Sequence, residues 1–141
     1  MAADSDCVFC RIVAGEIPAA IVLRNEACVA FLDIAPQAEG HLLLIPAEHY
    51  PRLEEVPADV LAELGRAMPR LARALLEVTG AAGFNVLQNN GQVAGQDILH
   101  VHFHLIPRTK GDGLGYRWQP KSYPAGRADE LRARFQSALA E

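Results

Sequence analysis

No apolar stretch in this chain approaches the roughly 20 residues needed to cross a bilayer. The N-terminal Met1-Ala2-Ala3-Asp4-Ser5-Asp6 has neither the basic flank nor the apolar core of a secretory leader. An overall basic surface is missing as well. Lys and Arg number 13 against 17 Asp and Glu, a formal net charge of −4, which argues against general nucleic-acid binding. The chain also lacks internal repeats, low-complexity tracts and linkers. These absences predict a soluble, cytoplasmic protein that engages neither membrane nor nucleic acid. What is present is apolar content, 50% of 141 residues, enough for one well-buried core and short for two. A single domain over residues 1–141 is expected.

Charge is unevenly spread. Between Val101 and Arg127, the cations Arg108, Lys110, Arg117, Lys121 and Arg127 face Asp112 alone. That excess suits either a phosphate-bearing small ligand or a solvated basic loop. Along the chain, residues 7–14 read as a short helix closed by Gly15 and Pro18. Ile21-Val22-Leu23 and Cys28-Val29-Ala30-Phe31-Leu32 read as a hairpin around Arg24-Asn25-Glu26, and His41-Leu42-Leu43-Leu44-Ile45 as a third strand stopped by Pro46. Residues 58–79 carry helical periodicity through Val60, Leu61, Leu64, Met68, Leu71, Leu75 and Leu76, with a bend expected at Pro69. Phe84-Asn85-Val86-Leu87 is a fourth strand, and 128–139 a terminal amphipathic helix. Sequential strands on short connections predict an α+β fold: an antiparallel five-stranded sheet covered by one long helix, with short terminal helices.

The predicted fifth strand is the most informative segment. In His100-Val101-His102-Phe103-His104-Leu105-Ile106 three of the five histidines alternate with apolar residues. With side chains alternating across a strand, the three imidazoles share one face while Val101, Phe103 and Leu105 pack inward. Rings two residues apart are separated by roughly 6–7 Å, a row rather than a cluster. All three therefore cannot reach one zinc ion at its ~2.0–2.1 Å bonding distance, although two can. A neutral imidazole can instead attack phosphorus and carry it covalently. His102, flanked on both sides, is the best placed. The preceding loop, Gln88 to Asp97, is rich in amides and glycines, which offer neutral donors and close backbone approach to phosphoryl oxygens.

Cys7 and Cys10 have the C-x-x-C spacing that grips one ion from a tight turn. With His49 and His100 they would make a Cys₂His₂ zinc site stapling the N-terminal arm to the sheet. A redox pair or two buried thiols are the other readings. Cys28, inside an apolar strand, reads as a small buried hydrophobe.

With the histidine row go Phe9-Cys10-Arg11-Ile12, Gly15-Glu16-Ile17-Pro18, Phe31-Leu32-Asp33-Ile34 with Pro36, His41 through Pro46, and Gly95-Gln96. By these residues the chain resembles the histidine triad (HIT) family, H-φ-H-φ-H-φ-φ, and in particular its zinc-containing bacterial nucleotide hydrolases. The resemblance covers a core of 7–108 and leaves 109–141 as a C-terminal extension whose Lys110–Trp118 segment looks like the bacterial members.

The resemblance implies a nucleotide hydrolase or transferase acting at an α-phosphate, with purine nucleoside phosphoramidates or related conjugates as substrates. His102 would be the nucleophile, the His100 carbonyl would fix its tautomer, His104 would contact phosphate or leaving group, and His41 would support them. Asn89, Gly95 and Gln96 would line the phosphate, and Asp33 would take the ribose hydroxyls. Phe9, Ile12, Phe31 and Ile34 would form the base pocket, a role that ordinary core residues also fit. Zinc would sit on Cys7, Cys10, His49 and His100. A homodimer is implied, joined through the long helix and the Phe84–Asn89 strand into one continuous sheet. Dinucleoside polyphosphate hydrolysis is the alternative enzyme reading, and a nucleotide-binding interaction protein with incidental catalysis a third. Asp97 departs from the pattern, standing where many members carry a serine or threonine donor. A carboxylate there cannot donate unless protonated and repels phosphate at close range.

Overall fold

The computed structural model describes residues 3–115 and 118–140, so Arg117 of the basic segment lies outside the described residues. Five strands form one antiparallel sheet: β1 (Ile21–Arg24), β2 (Cys28–Leu32), β3 (Leu42–Pro46), β4 (Gly83–Gln88) and β5 (Phe103–Arg108), in the order β1-β2-β3-β5-β4. The β1–β2 turn is set by Asn25, whose side-chain oxygen accepts the Ala27 and Cys28 amides at 2.8 and 2.9 Å.

Each face of the sheet buries a different helix. Cys28, Ala30, Leu42, Leu44 and Leu105 pack on Leu64, Ala67, Leu71 and Leu75 of α2 (Ala58–Thr79). Those four positions recur at helical spacing, which is why one stripe of α2 is dry and the remainder wet. Burial of each leucine contributes about 1.5–3 kcal/mol. Pro69 withholds one amide from the ladder, yet α2 runs unbroken through it, held by the stripe on either side. The αL residue Gly80 closes the helix, its amide bonded to the Leu76 carbonyl. The opposite face carries Val29, Phe31, Leu43 and Ile45, and α1 (Val8–Val13) lays Phe9, Cys10 and Ile12 across them. Cys28 is fully buried in the α2 core, the place expected of it. No described helix is long and apolar enough to cross a membrane.

The fifth strand differs from its expected extent. Its ladder begins at Phe103, so His100 and His102 precede it in a segment bound elsewhere: the Val101 amide donates to the Tyr50 carbonyl at 2.7 Å. The alternation survives without the ladder, because Val101 and Leu105 are fully buried. His100 and His102 are buried too, with Phe9 of α1 against both rings, and His104 is half-buried. The remaining helix, α3 (Arg127–Leu139), has no buried residue.

Gly40, immediately before His41, ties the active-face loop to the end of α2. Its φ is +95°, and a Cβ placed there would lie 2.5 Å from Thr79 Cγ2. Replacing it with alanine is therefore expected to cost about 2 kcal/mol. Gly111, with φ +74° and open space around it, serves as the control for backbone strain alone. Thermal melts should place Gly40→Ala well below Gly111→Ala, and equal melting temperatures would show that the close approach contributes nothing.

Candidate active site and metal centre

His100 sits where two networks meet. Its Nε2–H donates to the Pro46 carbonyl at 2.9 Å, leaving Nδ1 with a lone pair. That lone pair faces Cys7 Sγ at 3.4 Å, Cys10 Sγ at 3.6 Å and His49 Nδ1 at 3.3 Å, while Cys10 Sγ lies 3.4 Å from His49 Nδ1. Zinc bonds of about 2.3 Å to sulfur and 2.05 Å to nitrogen, arranged tetrahedrally, require ligand separations of about 3.6 Å for S–N and 3.3 Å for N–N. The four donors already have that spacing, are all buried, and include a histidine whose tautomer is fixed for ligation. They fit a zinc ion. The cysteines are free rather than disulfide-linked, and burial chiefly raises the Cys10 thiol above its usual range. Asp4, unremarked in the sequence, stands 3.9 Å from His49 Nε2 and gives its amide to Cys10 Sγ at 3.4 Å. It is placed where ligating histidines commonly find a carboxylate.

The His100 carbonyl serves the second network. It accepts Nδ1–H of His102 at 2.7 Å, which puts the His102 lone pair on Nε2. Phe9 holds that ring edge-on, with centroids 5.1 Å apart, and also touches His100 at 5.8 Å. Burial lowers the His102 pKa against the opposing pull of the His100 hydrogen bond, Asp33 and Asp97. A neutral ring with a free lone pair is the nucleophilic form.

His104 is set by a relay. The Gln37 amide donates to His41 Nδ1 at 3.0 Å, so His41 carries its proton on Nε2 and gives it to His104 Nδ1 at 2.9 Å. His104 must then hold its own proton on Nε2, making it a donor. Asp33 Oδ2 lies 3.5 Å from the same His41 Nε2. Asp33, His41 and His104 have ligand-like spacing. The Gln37 amide nevertheless keeps His41 Nε2 protonated, so this cluster is a hydrogen-bond relay and not a second metal site. Neither Gln37 nor Pro46 was foreseen as a functional residue, because each acts through its backbone and leaves no side-chain signature.

These groups open into a cavity of about 1040 Å³. It is lined by apolar side chains, among them Phe9, Ile12, Ile17, Phe31 and Ile34, and by the polar group of Asp33, His41, Asn89, Asp97, His102 and His104, with Gly95. Phe9, Ile12 and Phe31 are buried, whereas Ile34 is fully exposed at the rim. Among the expected ligand-binding residues, Gln96 is placed differently. It is buried and outside the cavity lining. Its Nε2 donates to the Pro51 and Ile98 carbonyls at 2.7 and 3.0 Å, and its Oε1 accepts the Gly91 amide at 2.7 Å. With both ends of the amide spent on backbone, Gln96 holds the loop rather than a ligand. In the basic segment, Arg108 is committed to Asp112, Asn85 and the Leu114 carbonyl, and Arg127 to Glu130.

Burial, reinforced by His102 and His41, lowers the His104 pKa from 6.5 to about 4. The unfolded chain binds this proton near pH 6.5 and the folded protein only near 4, so the contribution is intact above the first value and lost on acidification toward the second. Urea midpoints should fall between pH 7 and pH 5, and less steeply in His104→Asn. Parallel pH profiles for the two proteins would contradict a neutral His104.

A sheet with one helix on each face thus carries His102, with its Nε2 lone pair left free, in the wall of a cavity that His41 and His104 also line. Residues 14–111 match the family model of the HIT domain, and the chain belongs to the histidine triad family. It is 36% identical over 146 residues to an adenosine 5′-monophosphoramidase from Candida albicans, spanning 100% of this chain and 96% of that one. The crystal structure of a HIT family member from Bacillus subtilis superposes with a TM-score of 0.92 at 37% identity, covering 97% of this chain and 99% of that one. A zinc-bound histidine triad protein from Mycobacterium smegmatis gives a TM-score of 0.73 at 37% identity, with coverages of 94% and 96%.

Proposed function

We propose that this protein is a nucleotide hydrolase that breaks the bond between an α-phosphate and its leaving group, with purine nucleoside phosphoramidates as the preferred class. The observation that carries the reading is the His102 ring, pinned through Nδ1 at 2.7 Å with Nε2 left free in a cavity that both apolar and polar side chains line. The base packs among Phe9, Ile12, Phe31 and Ile34, Asp33 accepts the ribose hydroxyls, and the α-phosphate lies against His102 with Asn89 and the Gly95 backbone beside it. His102 Nε2 forms a bond to phosphorus as the leaving-group bond breaks. His104 Nε2–H donates to a phosphoryl oxygen or to the leaving atom. Water then adds to phosphorus, the N–P bond returns its pair to Nε2, and the mononucleotide leaves with one proton released to solvent. The activity named for the Candida relative supports this choice of substrate.

Cys7, Cys10, His49 and His100 would hold a structural zinc ion, which when bound crosslinks the N-terminal arm to the sheet. A homodimer belongs to the same reading: β4 is an edge strand with Val86 47% exposed, and pairing two such edges would extend the sheet.

The test is steady-state turnover of adenosine 5′-phosphoramidate beside a diadenosine polyphosphate. Faster cleavage of the phosphoramidate is expected. Preference for the dinucleotide would move the protein to the polyphosphate class, and absence of turnover on both would favour a binding role.

A further inference from the structure

We propose that Asp97 is a specificity-determining residue that selects substrates whose leaving atom is a protonated nitrogen and rejects anionic leaving groups; this rests on the hydrolase reading above. The argument starts from the charge lining the cavity. Among the described residues around it there is no Lys or Arg, while two carboxylates, Asp33 and Asp97, face into it. Asp33, the ribose acceptor of that reading, also accepts the Ala35 amide at 2.9 Å and lies beside His41. Asp97 is exposed and lines the cavity with His102 and His104, and no described Lys or Arg pairs with it.

The position of Asp97 is built rather than incidental. On one side Gln96 is locked by its three backbone hydrogen bonds, and on the other Ile98 packs against the α1 cluster and lines the cavity. The carboxylate lines the same cavity as the His102 and His104 rings. A polyphosphate chain would bring several negative charges into this cavity, where the rings, Asn89 and the Gly95 backbone are all neutral and no lining cation receives them. The opposite holds for a phosphoramidate. Its P–N bond breaks readily when the nitrogen carries an additional proton, because the nitrogen then keeps the bonding pair and departs as a neutral amine. A carboxylate beside that nitrogen favours the protonated, reactive form in the bound substrate. His102 Nε2 bonds to phosphorus, the P–N pair goes to the nitrogen, and no further acid is required. For an oxygen or phosphate leaving group negative charge grows in the same place, and Asp97 opposes it.

The experiment compares AMP joined through nitrogen to a primary alkylamine, AMP joined through oxygen to 4-nitrophenol, and diadenosine tetraphosphate, in the wild type, Asp97→Asn and Asp97→Glu. In Asp97→Asn, kcat/KM for the N-linked substrate should fall by about tenfold or more while the other two hold or rise. Asp97→Glu should keep the N-linked preference. Equal proportional losses on all three substrates, or an unchanged ratio, would overturn the selectivity role and leave the hydrolase reading standing. Wild-type turnover confined to the oxygen-linked or dinucleotide substrate would also overturn it. No turnover of any substrate by the wild type would sink the hydrolase reading and this inference together.

Discussion

His102→Asn is expected to lower turnover by about 10⁴-fold or more, the scale seen when a covalent nucleophile is removed from an otherwise intact site. Asparagine can still donate its side-chain amide toward the His100 carbonyl, so the fold and the cavity should persist and nucleotide binding should survive. What disappears is the lone pair on Nε2. His104→Asn should cost less, about 10²-fold, because it removes one donor while the nucleophile remains. Rapid quenching of wild-type protein with a slow substrate, followed by intact-mass analysis, should reveal protein carrying one added nucleotidyl group. The same experiment on His102→Asn should show none. If His102→Asn retains activity within tenfold of the wild type, attack by this ring is wrong, and the Nδ1 hydrogen bond that motivated it has another purpose.

The strands Cys28–Leu32 and Leu42–Ile45 were legible as short unbroken apolar runs bounded by turn residues, the long helix by the 3.6 period of Leu61, Leu64, Met68, Leu71 and Leu75, and the short first helix by its closing Gly15 and Pro18. Boundaries shifted where a tertiary partner took over the backbone. The period-two pattern of the histidine row extends from His100, but the ladder starts only at Phe103. Upstream of it, Val101 is bonded to Tyr50 and His100 is drawn toward Pro46 and the cysteines. The sequence shows the alternation and cannot show which amides are spent elsewhere.

The same distinction runs through the site. Cys7 and Cys10 announce themselves by spacing and His102 by its neighbours, whereas His49 is tied to them only by the fold. Gln96 shows the limit most clearly. Its side chain and its place in a glycine-rich loop suggested contact with phosphate, yet both ends of its amide are bound to backbone that only the folded loop brings near. The three histidines of the row, which look equivalent in sequence, take three tasks. His100 faces the thiols, His102 the cavity, and His104 the relay from His41.

That division makes the metal centre the site of the second large effect. Chelation of freshly purified protein, or Cys7→Ser, is expected to lower the melting temperature by about 10 °C. A ligand present at about a thousand times its dissociation constant stabilises the folded state by about 4 kcal/mol, and each kcal/mol moves a domain of this size by about 3 °C. The cost should not stop at stability. The His100 ring is tethered on one side to Pro46 and on the other to the cluster of Cys7, Cys10 and His49, and its carbonyl holds the His102 tautomer. Releasing the cluster frees α1, which carries Cys10 and the Phe9 ring packed against both histidines. The Phe9 side of the cavity and the His102 ring should therefore loosen together, raising KM and lowering kcat by comparable, modest factors while the chemistry of Nε2 is retained. Elemental analysis should give one zinc per chain in the wild type and none in Cys7→Ser, with activity partly restored to chelated protein by added zinc. Zinc-free protein with an unchanged melting temperature and unchanged kinetics would show that the four donors hold the arm by their own hydrogen bonds and packing, with no ion between them.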